Sequence, residues 1–314
     1  MANREMMSYL TAPLREVAQH HLQPDETLLT AIYVHHTISF ARDRWLWLTW
    51  YRQDHHPTRA FILTTERALI VEDPTDPTTS TGSRDYLFAS CSLNPIMLFE
   101  LRSNLLDCAL TLVMATPNGP KRVTIEYNGV SENAFLAAVV CIRALVDGQP
   151  LPFSTWPDET YAQKRMIAYK GWHAVLADLG MKLENAVVRY LASDEQVQEW
   201  LSVPTIDESM WWQRLSIGAH EQPPAVLVRT DRQILLVKEM RRTLRGQTTR
   251  GSKAWLMPLE RLRAVSVVSD KRELEMQFTL EHVGAIEVVH LPVLPELAER
   301  ALALVMPSLA TRGR

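Results

Sequence analysis

A strand–turn–strand motif that occurs twice constrains this chain more than any other feature. The first copy covers residues 60–72 and the second covers residues 225–237, which lie 165 positions later in a chain of 314 residues. In each copy an apolar run rich in β-branched residues leads into a Thr-acid-Arg triplet, and a second apolar run follows. Two such runs separated by a few polar residues predict a β-hairpin. The sequence therefore predicts two similar halves.

The motif resembles the central hairpin of bacterial pleckstrin-homology-like (PH-like) domains, which are related to GRAM domains. The matching positions are Thr65-Glu66-Arg67 and Thr230-Asp231-Arg232. The resemblance implies a bent antiparallel barrel closed at one end by a C-terminal helix. The expected fold class is therefore α+β and mainly β, with two repeated PH-like barrels, each preceded by a helix and capped by a C-terminal helix.

The spacing of apolar residues and the turn signals divide the chain into three parts. Residues 1–148 are predicted to form the first PH-like domain with its N-terminal helix, and residues 149–173 a linker and a helix. Residues 174–314 are predicted to form the second domain with its preceding helix. Each half is long enough to bury a core without disulfides or a structural metal.

Three local features carry more specific predictions. Residues 44–51 are expected to form a single strand in which Trp45 and Trp47 share a face. Ser131 is expected to cap the helix that closes the first domain, and Gly148 to end that helix. The turn triplets are expected to be structural, because a Thr or acidic side chain satisfies backbone donors in a tight hairpin.

Composition narrows the class of protein. The chain is 46% apolar and 22% charged and has a net charge of −3, so it lacks the basic excess of nucleic-acid-binding proteins. It contains no run of 18 apolar residues and no apolar signal core at its N-terminus. Cys91, Cys108 and Cys141 lie in or beside apolar runs and are expected to be buried in a reducing cytosol. The predicted location is the cytoplasm, with peripheral attachment to a membrane as an alternative.

A basic segment distinguishes the second half from the first. Residues 240–253 follow the second hairpin, are expected to form a loop, and contain no acidic residue. The candidate anion- or partner-binding residues are Arg241, Arg242, Arg245, Arg250 and Lys253. Such a loop suits anionic lipid headgroups, a nucleic-acid backbone or an acidic protein surface, including the acidic loop 72–85 of a second copy. A solvated loop without a ligand is the structural alternative.

Aromatic and histidine residues supply weaker candidates. Trp50, Trp211 and Trp212 are candidates for an exposed contact, whereas Trp45 and Trp47 are assigned to the core. Adjacent histidines occur at 20–21, 35–36 and 55–56. Neighbouring strand residues point to opposite faces, so one pair does not chelate a metal by itself.

These patterns predict a non-enzymatic module. The sequence contains none of the common catalytic or dinucleotide-binding motifs, so no catalytic residue, cofactor or metal ligand is assigned. The preferred function is protein–protein interaction or scaffolding through tandem PH-like domains, with self-association as an option and without nucleic acid. The alternatives are binding to anionic membrane lipids through residues 241–253 and, second, a role as a small-ligand-binding protein or an unrecognised enzyme.

Overall fold

Antiparallel strands dominate the computed structural model of the chain. The structure describes residues 7–45, 48–78, 86–104, 107–152, 159–204, 223–244, 247–270 and 273–310. Its strands form sheets of four, seven, three and two strands, accompanied by α-helices. The fold is therefore α+β and mainly β, as expected. The described sheets are open and do not close into barrels, because each runs between two terminal strands.

The chain folds as two compact units whose borders do not follow the sequence halves. Unit 1 contains Met1–Asn94, Leu105–Thr111 and Val123–Glu159. Unit 2 contains Pro95–Asn104, Leu112–Arg122 and Thr160–Arg314. The segment 95–104, which the sequence places within the first domain, thus belongs to unit 2. The proposed division at residues 148 and 174 stays a prediction.

Unit 1 is built on a four-stranded sheet in the order β1-β4-β5-β6, beside a separate β2-β3 hairpin. Its elements are α1 (Ala12–His21), β1 (Leu28–Val34), β2 (Thr37–Trp45), β3 (Leu48–His56), β4 (Arg59–Thr64), β5 (Arg67–Glu72), β6 (Leu87–Ser92) and α2 (Glu132–Val146). Helix α1 buries Leu14 and Ala18 in a core with Ile62 and Leu69 of the central strands. That core exists because apolar residues recur on one face of the helix.

Unit 2 contains strands that are neighbours in the order β10-β11-β12-β13-β7 and a three-stranded sheet β14-β15-β16. Its strands are β7 (Ile96–Asn104), β10 (Val197–Val203), β11 (Ala225–Thr230), β12 (Gln233–Leu244), β13 (Gln247–Pro258), β14 (Leu262–Asp270), β15 (Glu273–His282) and β16 (Ala285–Val293). Its helices are α3 (Glu159–Leu176), α4 (Met181–Tyr190) and α5 (Pro295–Ala310). The first residue of α3, Glu159, belongs to unit 1, and the rest of that helix belongs to unit 2. Strands β8 (Cys108–Thr116) and β9 (Gly119–Tyr127) follow β7 in the seven-stranded order and have residues in both units.

Helix α2 is the most apolar helix of the described chain. Together with the short turn before it, Gly129–Val146 has the length and hydropathy of a membrane span, but 56% of this window is buried inside the protein. A core helix passes the same test, and the ring of Phe135 stacks on Tyr127 with centroids 4.0 Å apart. Burial within unit 1 explains the composition of α2.

A buried carboxylate organises the helix–strand turn between α1 and β1 in unit 1, and another organises the turn between α4 and β10 in unit 2. In unit 1, Glu26 Oε2 accepts a hydrogen bond from Gln23 N at 3.2 Å, and Arg67 Nε donates to Glu26 Oε1 at 2.5 Å. In unit 2, Glu195 Oε2 accepts from Ala192 N at 3.0 Å, and Thr230 Oγ1 donates to Glu195 Oε1 at 2.6 Å. Both acids stabilise their turns by accepting hydrogen bonds from backbone N–H groups in the turn that follows the helix.

The same hydrogen bonds recur in the hairpins that follow. Thr230 Oγ1 accepts from Arg232 N at 3.1 Å and from Gln233 N at 3.0 Å. Its counterpart in unit 1 is Thr64, whose Oγ1 accepts from the N–H groups two and three residues later at 3.2 and 3.0 Å. The structurally equivalent hairpin positions are therefore 166 apart, not 165, and Thr64 takes the capping role that the sequence assigned to Thr65. Thr65 and Asp231 instead bond to the backbone of the preceding turn.

Two other local predictions are corrected by the structure. Residues 44–51 do not form one strand: β2 ends at Trp45 and β3 begins at Leu48, and these two residues pair across a turn. The side chain of Ser131 does not cap the helix; a short 3₁₀ turn precedes α2, and Asn128 Oδ1 accepts from Val130 N at 3.1 Å. Gly148 ends α2 as predicted, with a φ of 62°.

Replacing Arg67 by Gln is expected to lower the free energy of unfolding by about 2–3 kcal/mol, because it leaves the buried Glu26 without its cation. Urea denaturation measures the loss. The matched variant Arg232→Gln removes a pair with Asp194, whose side chain is 58% exposed, and is expected to cost less than about 1 kcal/mol. Equal losses in the two variants would contradict the role given to burial.

Replacing Gly251 by Ala is expected to destabilise the protein by about 1–3 kcal/mol, because an added Cβ would clash with the backbone oxygen of Ser103 in the paired strand. Gly171→Ala is the control. It lies in helix α3 with open space around it, and the change is expected to stabilise the protein by about 0.5–1 kcal/mol. Thermal unfolding of both variants tests the β13–β7 contact; an unchanged midpoint for Gly251→Ala would argue against it.

Candidate interaction surface

Strand β6 leaves one edge of the unit 1 sheet open. It is the last strand in the order β1-β4-β5-β6, and among the described strands it pairs only with β5. An edge strand presents unpaired N–H and C=O groups, and proteins usually protect such edges with charges or proline. The six residues of β6, Leu-Phe-Ala-Ser-Cys-Ser, include neither. This edge therefore lacks the charged and proline residues that usually prevent pairing with another strand.

Phe88 gives the β6 edge a fixed aromatic contact point. Its side chain is 47% exposed. The guanidinium of Arg59 lies 4.0 Å from the centre of its ring, and the buried carboxylate of Glu72 holds that guanidinium at 2.7 Å. The stacked cation restrains the ring without covering it. A restrained aromatic residue on an accessible surface is the residue type that dominates protein interfaces.

The corresponding edge of unit 2 is occupied. Leu93 N donates to Glu66 O in unit 1, and Leu259 N donates to Arg232 O in unit 2, so the ends of β6 and β13 are equivalent. Residues Gly251–Leu256 of β13 pair antiparallel with Phe99–Asn104 of β7. Where unit 1 has an open edge, unit 2 has an additional strand. The comparison within one chain shows that this type of edge accepts a strand.

The predicted basic loop is a β-hairpin. Residues 240–244 and 247–250 belong to β12 and β13 and pair with each other, with Arg241 opposite Arg250 and Arg242 opposite Thr249. Arg245 lies outside the described residues. The loop prediction was wrong because the ladder continues beyond the apolar part of both strands. Among the described strands, β11 pairs with β12 only as far as Lys238 and β7 pairs with β13 only from Gly251, so this part of the hairpin extends beyond those two pairings.

Lys253 is already engaged by side chains of unit 2. Its ammonium lies 2.6 Å from Glu100 Oε1 and 4.6 Å from the centre of the Trp255 ring. Glu100 also pairs with Arg122 at 3.1 Å, and Arg122 in turn pairs with Glu287. Of the five predicted anion-binding residues, Lys253 therefore belongs to an ion-pair network that is neutralised within the protein. Its role in binding stays a prediction, as do those of the four arginines.

Lys238 was not singled out by the sequence, yet it has the most unusual lysine environment in the described chain. It stands opposite Lys253 in the β12–β13 register, and its Nζ donates to His290 O at 3.2 Å. Burial and the positive charge of Lys253 lower its pKa to about 8, although Glu275 acts in the opposite direction. The only sequence signal for this site is a pair of lysines that face each other across a hairpin. That signal can be recognised only when the pairing of β12 with β13 is known.

The remaining candidates are dispersed. Trp50 lies in β3, while Trp211 and Trp212 lie outside the described residues. The three cysteines are buried, and no disulfide joins them. His36 and His55 come from different pairs and approach to 3.5 Å between Nε2 and Nδ1. Within the described ranges, no three His, Cys, Asp or Glu side chains form a set that could hold a metal.

Two grooves occur on the described surface. One, of about 480 Å³, lies in unit 1, and the other, of about 390 Å³, lies in unit 2. The first is lined by Ala12, Pro13, Glu16, Val17, His20, His21, Pro74 and Tyr86. The second is lined by Ala168, Gly171, Trp172, Val175, Ser193, Asp194, Glu195, Gln196 and Val197.

Comparison with known proteins adds no assignment: no protein-family model matches the chain, and no curated protein matches it at a significant level. The family resemblance therefore rests on the repeated hairpin residues alone.

Replacing Lys238 by Met is expected to stabilise the protein at pH 7, because the wild type keeps a charged, half-buried ammonium there. The folded-state pKa is lowered, so the unfolded chain binds more protons between about pH 8 and the ordinary lysine value near 10.5. The wild type should therefore gain stability relative to the variant as pH rises through 8. Urea denaturation at pH 7 and 9.5 measures the difference. The exposed Lys170→Met is the control, and a difference independent of pH for Lys238→Met would contradict the assignment.

Proposed function

We propose that this protein is a non-enzymatic binding and scaffold module made of two PH-like domains that mediate protein–protein interaction. Support for the repeat comes from the equivalent turns around Glu26 and Glu195 and the equivalent hairpin caps of Thr64 and Thr230. Support for the family comes from the Thr-acid-Arg hairpins. The buried cysteines without disulfides agree with a cytoplasmic location, which is part of the same proposal.

The open edge of β6 carries the proposal. A partner adds an extended segment to β6, so that main-chain hydrogen bonds provide affinity and side-chain contacts at Phe88 provide specificity. The β13–β7 pair in unit 2 supplies the geometric precedent, with six consecutive residues in register.

A second candidate function is peripheral binding to anionic lipid through the basic end of the β12–β13 hairpin. The observation that favours it is that residues 240–244 and 247–250 pair with each other beyond the paired parts of β11 and β7 as far as these are described. The segment 240–250 contains four arginines and no acid. Such a segment places positive charge where a flat anionic surface can approach. Ion pairing of Lys253 with Glu100 confines this candidate to the arginines.

Strand addition at β6 is tested with a synthetic peptide of the β7 sequence, residues 96–104, carrying a solubilising lysine tag and a fluorophore. Fluorescence anisotropy is expected to show binding to the wild type. Phe88→Lys is expected to weaken binding about tenfold, because it removes the aromatic contact and places a charge on the edge. Ser92→Lys is the control, since position 92 lies beyond the part of β6 that corresponds to the paired part of β13; it should change affinity less than about twofold.

Absence of peptide binding, or equal weakening by Phe88→Lys and Ser92→Lys, would overturn the assignment of β6. Sedimentation with neutral and phosphatidylserine-containing vesicles tests the second candidate. Lipid binding requires pelleting with anionic vesicles only, loss at high salt, and loss in Arg241→Glu/Arg242→Glu. If the vesicle experiment succeeds and the peptide experiment fails, the lipid function replaces the interaction function.

A further inference from the structure

Strand β14 is the counterpart of β7. Each opens a run of three sequential antiparallel strands, β7-β8-β9 and β14-β15-β16. Both have nine residues, Ile96–Asn104 and Leu262–Asp270, which are 166 positions apart, as are the equivalent hairpins. The residue three positions before each strand, Leu93 or Leu259, makes the equivalent hydrogen bond to the preceding hairpin. The two strands therefore occupy the same position in their repeats.

The partners of the two strands differ. Strand β7 pairs with β13, whereas β14 is at the end of its sheet and pairs only with β15 among the described strands. Five of its residues from Arg263 to Ser269 are exposed, including Val268 at 40%. Its only charged residues are Arg263 and Asp270, one near each end. The middle of β14 is thus as unprotected an edge as β6.

The described chain therefore has two edge strands, β6 and β14, that correspond to the two strands of the β13–β7 contact. Strand β13 corresponds to β6, and strand β7 corresponds to β14. In the observed contact, Lys253 is opposite Arg102 and Leu256 is opposite Phe99. Subtracting 166 from the first member and adding 166 to the second converts Leu256 opposite Phe99 to Ser90 opposite Val265. This conversion holds from Ala89 onward, because the β5–β6 register shifts by one residue at Phe88.

We propose that β14 of one copy of this protein pairs antiparallel with β6 of a second copy, in the register of the β13–β7 contact. The proposal rests on the proposed function, because it names the partner that adds a strand to β6. The converted register gives two pairs in the regular part of β6, Ala89 with Ser266 and Ser90 with Val265. Because Phe88 is the extra residue of a bulge, Leu87 takes the next paired position and lies opposite Val267.

The chemistry of these pairs suits the contact. Leu87 and Val267 form an apolar cross-strand pair in this register, and such side-chain pairs stabilise antiparallel sheets. None of the six paired residues is charged, so no like charges oppose each other within the pairs. Ala89 and Ser266 are small and allow the backbones to approach.

The contact is heterologous, since a β6 edge meets a β14 edge rather than another β6. Each copy that uses its β6 edge keeps its β14 edge free for a further copy. Heterologous contacts continue into rings or filaments instead of stopping at a dimer. The sedimentation coefficient should therefore increase steadily with protein concentration, without a plateau at the dimer.

Disulfide trapping tests the register in the full-length protein. Ala89→Cys and Ser266→Cys are made as separate variants, mixed, and oxidised with diamide. Residues directly opposite in an antiparallel pair have Cα atoms about 4.5–5.5 Å apart, within the range of a disulfide. The mixture is expected to form a crosslinked dimer at least about fivefold faster than either variant alone, where the like edges do not meet.

The matched control mixes Ala89→Cys with Arg263→Cys, which is exposed on the same strand but three positions out of register. It should crosslink no faster than the single variants, and because the native cysteines are buried, the wild type should form no disulfide crosslink under diamide. Equal rates for the mixture and its controls would overturn the proposal. If the β7 peptide binds to β6 in that case, the proposed function stands and only the identity of the partner is wrong; if the peptide also fails, both fall.

Discussion

The backbone pairing between β13 and β7 is the contact on which most of unit 2 depends. It places Glu100 opposite Trp255 and within ion-pair distance of Lys253. The ion-pair network therefore forms only while the two strands are in register. It also brings Met97 and Leu98 into the core that contains the apolar faces of β11, β12 and α5. Gly251 is required at this pairing because the backbone of Ser103 occupies the space of a side chain.

The same physical requirement explains where the proposed function lies. Backbone donors and acceptors at the edge of a sheet must find protein or water, and an unprotected edge favours pairing with another strand. Strand β13 meets this requirement within the chain. Strands β6 and β14 do not among the described residues, and neither carries the charges or prolines that usually protect an edge across its centre. We therefore place the interaction surfaces at edges rather than in grooves.

The environments of the charged residues depend on strand pairing that the sequence pattern does not show. A run of arginines and a lysine without acids predicted one continuous basic surface over residues 241–253. In the structure Lys253 is neutralised by Glu100, which is 153 positions earlier in the chain, and the unusual lysine is Lys238. Both differences arise from pairing between strands that are distant in sequence, which composition and local spacing do not encode.

The sequence by itself determined the mainly β fold, most helices and strands, the two hairpins around Thr64 and Thr230, and the end of α2 at Gly148. These depend on local periodicity, turn chemistry and capping, which act over a few residues. The tertiary structure alone decided that β7 joins unit 2, that residues 240–244 and 247–250 continue as paired strands, and that β6 and β14 are edges among the described strands. Those outcomes depend on which strands find partners, and backbone hydrogen bonding between strands leaves no periodic signal in the sequence.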